Sequence, residues 1–157
     1  MTKRVLVTGA NGYIGACVVR SLLELGAQVT AVDIRHDRVD PRAECIDFDI
    51  FASDASVYQK LGSPDVCVHM AWLDGFVHNA PSHLAYLPKH YEFLKNMVEG
   101  GLPQITAMGT MHEVGYIVGA VTEDTPTRPM SLYGISKNAL RQALGVLVNG
   151  KDVTYQW

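Results

Sequence analysis

Cysteine is scarce in this chain. Cys17, Cys45 and Cys67 are three, an odd number, and no two share a Cys-x-x-Cys spacing. That spacing argues against a disulfide framework or a zinc knuckle and predicts reduced thiols in or near the core of a cytoplasmic protein. Basic residues are not massed either: Lys3, Arg4, Arg35 and Arg38 are scattered and the net charge is -3, so no nucleic-acid partner is expected. No apolar run nears the roughly 20 residues that cross a bilayer, so no membrane partner is expected. The N-terminus has no leader pattern, because Val5-Leu6-Val7 runs straight into glycines. Histidines 69, 78, 83 and 90 lack metal-ligand spacing, and His112-Glu113 is not an H-E-x-x-H site because Tyr116 stands where the second histidine belongs. No metal site is predicted. Repeats, low-complexity segments and interdomain linkers are also missing, which leaves one domain over residues 1–157.

What is present is an alternation of two periods. Arg4 to Thr8 is a short apolar run ending in a glycine turn, the pattern of a strand buried on both faces. From Tyr13 the period lengthens: Ile14, Val18, Leu22 and Leu25 predict one helix face, stopped by Gly26. Further strands are predicted at Gln28 to Val32, Glu44 to Phe48, Val66 to Met70 and Gln104 to Met108. A short helix is placed between Asp54 and Leu61. Pro88 suits the first turn of a helix with Tyr91, Leu94 and Val98 on its face, closed by Gly100-Gly101. Leu132 to Val148 reads as a last helix, and Val153 to Trp157 opens a strand. The alternation predicts an α/β fold, a Rossmann-type doubly wound parallel sheet. Its last strand stops with the chain, so the sheet reads as truncated.

The turn Thr8-Gly9-Ala10-Asn11-Gly12-Tyr13-Ile14-Gly15 lies where the first strand passes to the first helix. A pyrophosphate needs backbone N–H groups and a helix N-terminus, and a side chain in the turn would hold it away. Gly9 permits the tight turn, Gly12 the approach of phosphates, and Gly15 close packing of helix on sheet. Asp33 ends the second strand about 20 residues further on, where a carboxylate accepts both ribose hydroxyls of NAD and repels the 2′-phosphate of NADP. Arg35 nearby is the feature that would suit NADP, so NAD is favoured and NADP is the alternative. Tyr133 and Lys137 are four apart on a helix, a spacing that by itself also fits a surface tyrosine stacked on a lysine stem.

These residues resemble the extended branch of the short-chain dehydrogenase/reductase superfamily, the NAD-dependent epimerase/dehydratase family. Thr8 to Gly15 matches its TGxxGxxG turn, Asp49-Ile50 its Asp-hydrophobic pair beside adenine, and Val68-His69-Met70-Ala71 its HxAA strand, with Trp72 in place of the last alanine. Met108-Gly109-Thr110 falls at its Ser/Thr position and Tyr133-Gly134-Ile135-Ser136-Lys137 at its YxxxK. The resemblance implies cofactor contacts at Gly9, Asn11, Gly12, Tyr13, Ile14, Gly15, Asp33, Ile34, Arg35, Asp49, Ile50, Met70, Ala71, Trp72 and Met108. It makes Thr110, Tyr133 and Lys137 catalytic, with the last two also touching cofactor. Tyrosine is a poor base near neutrality, with a reference pKa of about 10. Lys137 is therefore expected to lower the Tyr133 phenol, and Thr110 to hydrogen-bond the reacting oxygen.

Three departures accompany the resemblance. Ala85 stands where many members carry an Asn, Trp72 replaces a small residue, and members run to about twice this length, their C-terminal half binding a nucleoside diphosphate sugar. Two readings follow: the N-terminal part of an NAD-dependent sugar-nucleotide epimerase, dehydratase or reductase, or a non-catalytic dinucleotide-binding sensor or scaffold. A homodimer is a further possibility through Leu140, Leu144 and Leu147, which could equally pack on the chain's own sheet.

Overall fold

The computed structural model describes residues 2–157. Six strands, β1 (Arg4–Thr8), β2 (Gln28–Asp33), β3 (Glu44–Asp47), β4 (Val66–His69), β5 (Gln104–Ala107) and β6 (Thr154–Gln156), form one sheet in the order β3-β2-β1-β4-β5-β6. Every pairing is parallel. Four helices connect or flank them: α1 (Tyr13–Glu24), the single turn α2 (Val57–Lys60), α3 (Ser82–Glu99) and α4 (Leu132–Val148). None is long and apolar enough to cross a membrane. Short 3-10 turns sit at Ile50–Ala52 and Met111–Glu113.

Side chains alternate across the strands and divide the core in two. Val5 and Val7 of β1 pack with Val29, Ala31 and Val19 under α1. Leu6, on the opposite side, packs with Cys67, Ile105, Phe93 and Met97, and with Leu140 and Leu144 of α4. Leu140, Leu144 and Leu147 are therefore buried in the chain's own core and offer no face to a second copy.

Four local expectations change. The buried face of α1 is Gly15 and Val19, with Leu22 and Leu23 packed behind, while Ile14 and Leu25 are exposed. Seating Gly15 against the turn after β1 rotates the helix by about one residue from the face its leucines suggest. Strand and helix do not alternate between β2 and β3: residues 34–43 form a looped connection, pinned by the Asn11 amide on Asp37 at 3.0 Å and by the Arg38 N–H on the Asn11 carbonyl oxygen at 2.8 Å. Helix α3 begins at Ser82, six residues before Pro88, which lies inside it on an exposed position. Water can take the carbonyl that the ring leaves unpaired, and burial of His83, His90, Phe93, Leu94 and Met97 holds the helix together. Finally, only Cys67 is buried; Cys17 and Cys45 are exposed.

Candidate active site

The strand order reverses between β1 and β4, and an open parallel sheet offers its crevice there, beyond the carboxyl ends of the strands. Gly9 turns the chain at this point with φ +68°, in the left-handed region that a side chain resists. A Cβ on Gly9 would lie 2.6 Å from the Ala71 nitrogen, and one on Gly15 only 2.1 Å from the Gly9 carbonyl oxygen. The turn, the end of β4 and the first turn of α1 thus meet backbone to backbone. Thr8 completes the joint: its hydroxyl accepts from the Met70 N–H at 3.3 Å and pairs with His69 Nδ1 at 2.8 Å.

A cavity of about 410 Å³ opens over this joint. Gly9, Gly12, Met70, Ala71 and Trp72 line one part of it, and Asp33, Ile34, Asp49 and Ile50 another. The Asp33 carboxylate accepts from the Asn11 N–H at 3.0 Å and the Ile34 N–H at 2.8 Å. Each oxygen keeps a further lone pair for a diol. Asp49 accepts from the Phe51 N–H at 2.9 Å, which caps the turn carrying Ile50. Tyr13 and Ile14 stand exposed at the start of α1, and Arg35 lies with Asn11, Asp37 and Arg38 around a neighbouring hollow. The aromatic wall formed by Phe48, Phe51 and Tyr86 was not legible in the sequence.

Thr110 begins the turn after β5. Its hydroxyl accepts from the His112 N–H at 3.3 Å, and its own N–H donates to Glu113 Oε1 at 2.7 Å, a capping box. Tyr133 is half-buried in the first turn of α4, on the side of the Thr110 hydroxyl. The N-terminus of α4 is held by Ser131, which accepts from the Gly134 N–H, and by Asn79, which accepts from the Leu132 N–H. The Tyr133 N–H donates to the His78 carbonyl at 2.9 Å, and the His78 and His112 rings both pack against the phenol.

Lys137 is buried, and its ammonium donates to the Met108 carbonyl at 2.7 Å and lies 4.2 Å from the centre of the Trp72 ring. Trp72 is itself clamped: its indole N–H donates to His83 at 3.0 Å and its ring stacks on His90 at 4.3 Å. Burial lowers Lys137 to about 8, with Glu113 acting in the other direction. Burial also pushes the Tyr133 phenol up; the Thr110 hydroxyl draws it down and Glu113 raises it further. The expected depression of Tyr133 by Lys137 is thus not the balance struck in this structure. The lysine is turned to Met108 and Trp72.

A larger hollow, about 840 Å³, borders Met70, Met108 and Thr110; neither it nor the 410 Å³ cavity is lined by Tyr133 or Lys137. The smaller cavity is the one that contains the glycine joint, Asp33 and Asp49.

The strand order, the glycine joint at the reversal and the carboxylate ending β2 define a Rossmann-type dinucleotide-binding domain. A family model described as the NAD dependent epimerase/dehydratase family matches residues 5–153, and the chain belongs to that family. It is 45% identical over 146 residues to the dTDP-6-deoxy-L-talose 4-dehydrogenase (NAD(+)) of Aggregatibacter actinomycetemcomitans, covering 89% of this chain and 53% of that protein. It is 28% identical to a UDP-glucose 4-epimerase of Lactobacillus helveticus, covering 97% of this chain and 49% of the other. The chain therefore spans about half the length of the curated relatives it matches. A UDP-glucose-4-epimerase structure from Stenotrophomonas maltophila, with bound NAD and formylated UDP-arabinopyranose, aligns with a TM-score of 0.83 at 24% identity, over 98% of this chain and 51% of that one. At that identity the likeness establishes the fold.

Proposed function

We propose that the chain binds NAD in the 410 Å³ groove and contributes Thr110, Tyr133 and Lys137 to hydride transfer on a nucleoside diphosphate sugar. The observation that carries the binding is the joint of Gly9, Gly15 and Ala71, where no Cβ fits, at the start of α1 and beside the cavity that Asp33 also lines. These residues fit a dinucleotide: the glycine joint the pyrophosphate, Asp33 the adenosine ribose diol, and Asp49-Ile50 with Phe48 and Phe51 the adenine. The 45% identity to a dTDP-6-deoxy-L-talose 4-dehydrogenase favours a dTDP-linked 6-deoxysugar, oxidised or reduced at C4.

Bound NAD supplies the acceptor for the carbinol hydride. In that reading Tyr133 takes the hydroxyl proton while Thr110 hydrogen-bonds the same oxygen and orients it. Tyr133 can act near neutrality only if its phenol falls, and Lys137 is the one buried cation among the described residues. In that reading the Lys137 ammonium, which rests on Met108 and Trp72 here, would supply the positive charge that lowers the phenol.

A second reading, a dinucleotide-binding module without turnover, is favoured by the same Lys137 placement, which leaves Tyr133 unprimed. Calorimetric titration with NAD and with NADP tests the first claim, and NAD binding at least about tenfold the tighter is expected, a difference of ~1.4 kcal/mol. Failure to bind either dinucleotide would overturn it. Incubation with NAD and dTDP-6-deoxy-L-talose separates the readings: NADH formation lost in Tyr133→Phe supports catalysis, and binding without NADH supports the module.

A further inference from the structure

The sequence singles out Glu113 only to dismiss it as a metal ligand, yet it is one of the few buried charged side chains, 4% exposed. Its carboxylate has four polar contacts from three elements. Oε1 accepts from the Thr110 N–H at 2.7 Å and from the Trp157 indole N–H at 3.1 Å; Oε2 accepts from the same indole at 3.0 Å and pairs with Arg141 Nε at 3.4 Å. Two glycines make room for this arrangement. A Cβ on Gly109 would lie 2.5 Å from the Trp157 indole nitrogen and 3.2 Å from Glu113 Oε1. A Cβ on Gly134 would lie 2.2 Å from the His112 carbonyl oxygen, so α4 closes onto the turn only because position 134 has no side chain.

We propose that Glu113 is a positioning residue of the Thr110–Tyr133–Lys137 site: its buried carboxylate ties the Thr110 turn to Arg141 of α4 and to Trp157 after β6, and places a fixed negative charge close to the Lys137 ammonium. The inference rests on the role given to those three residues above. The connection to Lys137 is short. Trp157, which Glu113 holds, lies 5.8 Å from the Lys137 ammonium, and the carbonyl that Lys137 engages belongs to Met108, two residues before Thr110. A cation in so dry a place loses hydration, and a fixed carboxylate nearby offsets part of that loss. Glu113 is the group that acts upward on Lys137 against burial. The other groups facing the ammonium are the Met108 carbonyl, the Trp72 and Trp157 rings, and His69 of β4 and His90 of α3. The imidazoles cannot supply a negative charge. A purely structural carboxylate would serve the fold equally well without any effect on Lys137, and this separates the two roles.

The test is the titration of Lys137 in the chain itself, grown with lysine labelled with 13C at Cε and followed by NMR, the signal being identified by its loss in Lys137→Met. The midpoint in the unaltered chain is expected near 8. Glu113→Gln keeps an oxygen for Thr110 and Trp157 but removes the charge, and should move that midpoint down by roughly half a unit or more. Glu113→Asp retains the charge one methylene further off; it should move the midpoint the same way by less, and it decides the matter if Glu113→Gln does not fold. A folded variant of either kind with an unmoved Lys137 midpoint overturns the proposal. The titration needs no cofactor, so a failure to bind NAD would sink the functional reading while leaving this result to stand or fall separately.

Discussion

The Lys137 ammonium and the Trp72 indole are stacked at 4.2 Å, and His83 and His90 hold that indole in place by a hydrogen bond and a ring stack. Trp72 is thus a fixed plate under a buried cation. The Met108 carbonyl and the Trp72 ring face the ammonium where water otherwise would.

Stability should follow the Lys137 titration. Its folded value is near 8 against an ordinary 10.5, so between those pH values the unfolded chain binds the extra proton. Stability from this group therefore rises as pH increases from 8 to 10.5, by up to the order of 3 kcal/mol. Urea unfolding in that window is expected to show the rise, and Lys137→Met to remove it. An identical profile in both proteins would assign the rise to other groups.

Acid should weaken the fold through a different pair. His69 and His90 share a hydrogen bond of 3.0 Å, and burial holds both imidazoles down, His90 to about 3. Below 6.5 the unfolded imidazoles bind protons that the folded ones refuse, so stability falls as pH drops from 6.5. The double variant His69→Leu/His90→Phe should flatten the dependence of the urea midpoint between pH 6.5 and 4; a slope equal to that of the parent would exclude the pair as its source.

Trp72→Phe keeps an aromatic plate but loses the donor to His83, and is expected to cost roughly 1 kcal/mol. Trp72→Ala also removes the stack on His90 and the surface under Lys137, and should cost about 3 kcal/mol or more. Chemical denaturation measures both, and equal costs would mean that the ring contributes nothing beyond its hydrogen bond.

Gly15→Ala introduces a methyl where the Gly9 carbonyl oxygen already stands, 2.1 Å away. Turn and helix must separate, with an expected loss of about 1–3 kcal/mol and of measurable NAD binding. Gly145→Ala in α4, where a Cβ meets nothing within 4 Å, is the matched control and should be neutral or slightly stabilising. Retained NAD affinity in Gly15→Ala would place the dinucleotide elsewhere.

Asp33→Asn keeps one acceptor oxygen, replaces the other with a donor, and removes the charge that repels a 2′-phosphate. NAD affinity should fall roughly 10- to 100-fold, matching the ~1.5–3 kcal/mol of a charged hydrogen bond, and the preference over NADP should narrow. An unchanged NAD-to-NADP ratio would remove Asp33 from the ribose site.

Much was legible because it is local. The β1 run, the spacing of Gly9, Gly12 and Gly15, Asp33 at the end of β2 and the limits of α4 all depend on neighbours in the chain. Glu113 is legible the same way, since Thr110-x-x-Glu113 is a capping-box pattern. Helix α3 misled for a local reason too, because Pro88 looks like a start when read without the buried histidines before and after it.

The sequence by itself therefore determined the parallel α/β plan and the cradle, since turns and periodicities are imposed by backbone sterics within a few residues. It also placed Thr110, Tyr133 and Lys137 as candidates. Only the tertiary structure decided which way Lys137 points, that Trp72 is wedged between two histidines, and that Glu113 joins the turn, α4 and β6. Those contacts join residues that lie well beyond one turn of chain from each other, from Trp72 with His83, 11 positions apart, to Glu113 with Trp157, 44 positions apart. Their energies come from burial and from the charges that burial leaves unhydrated, which no local pattern encodes.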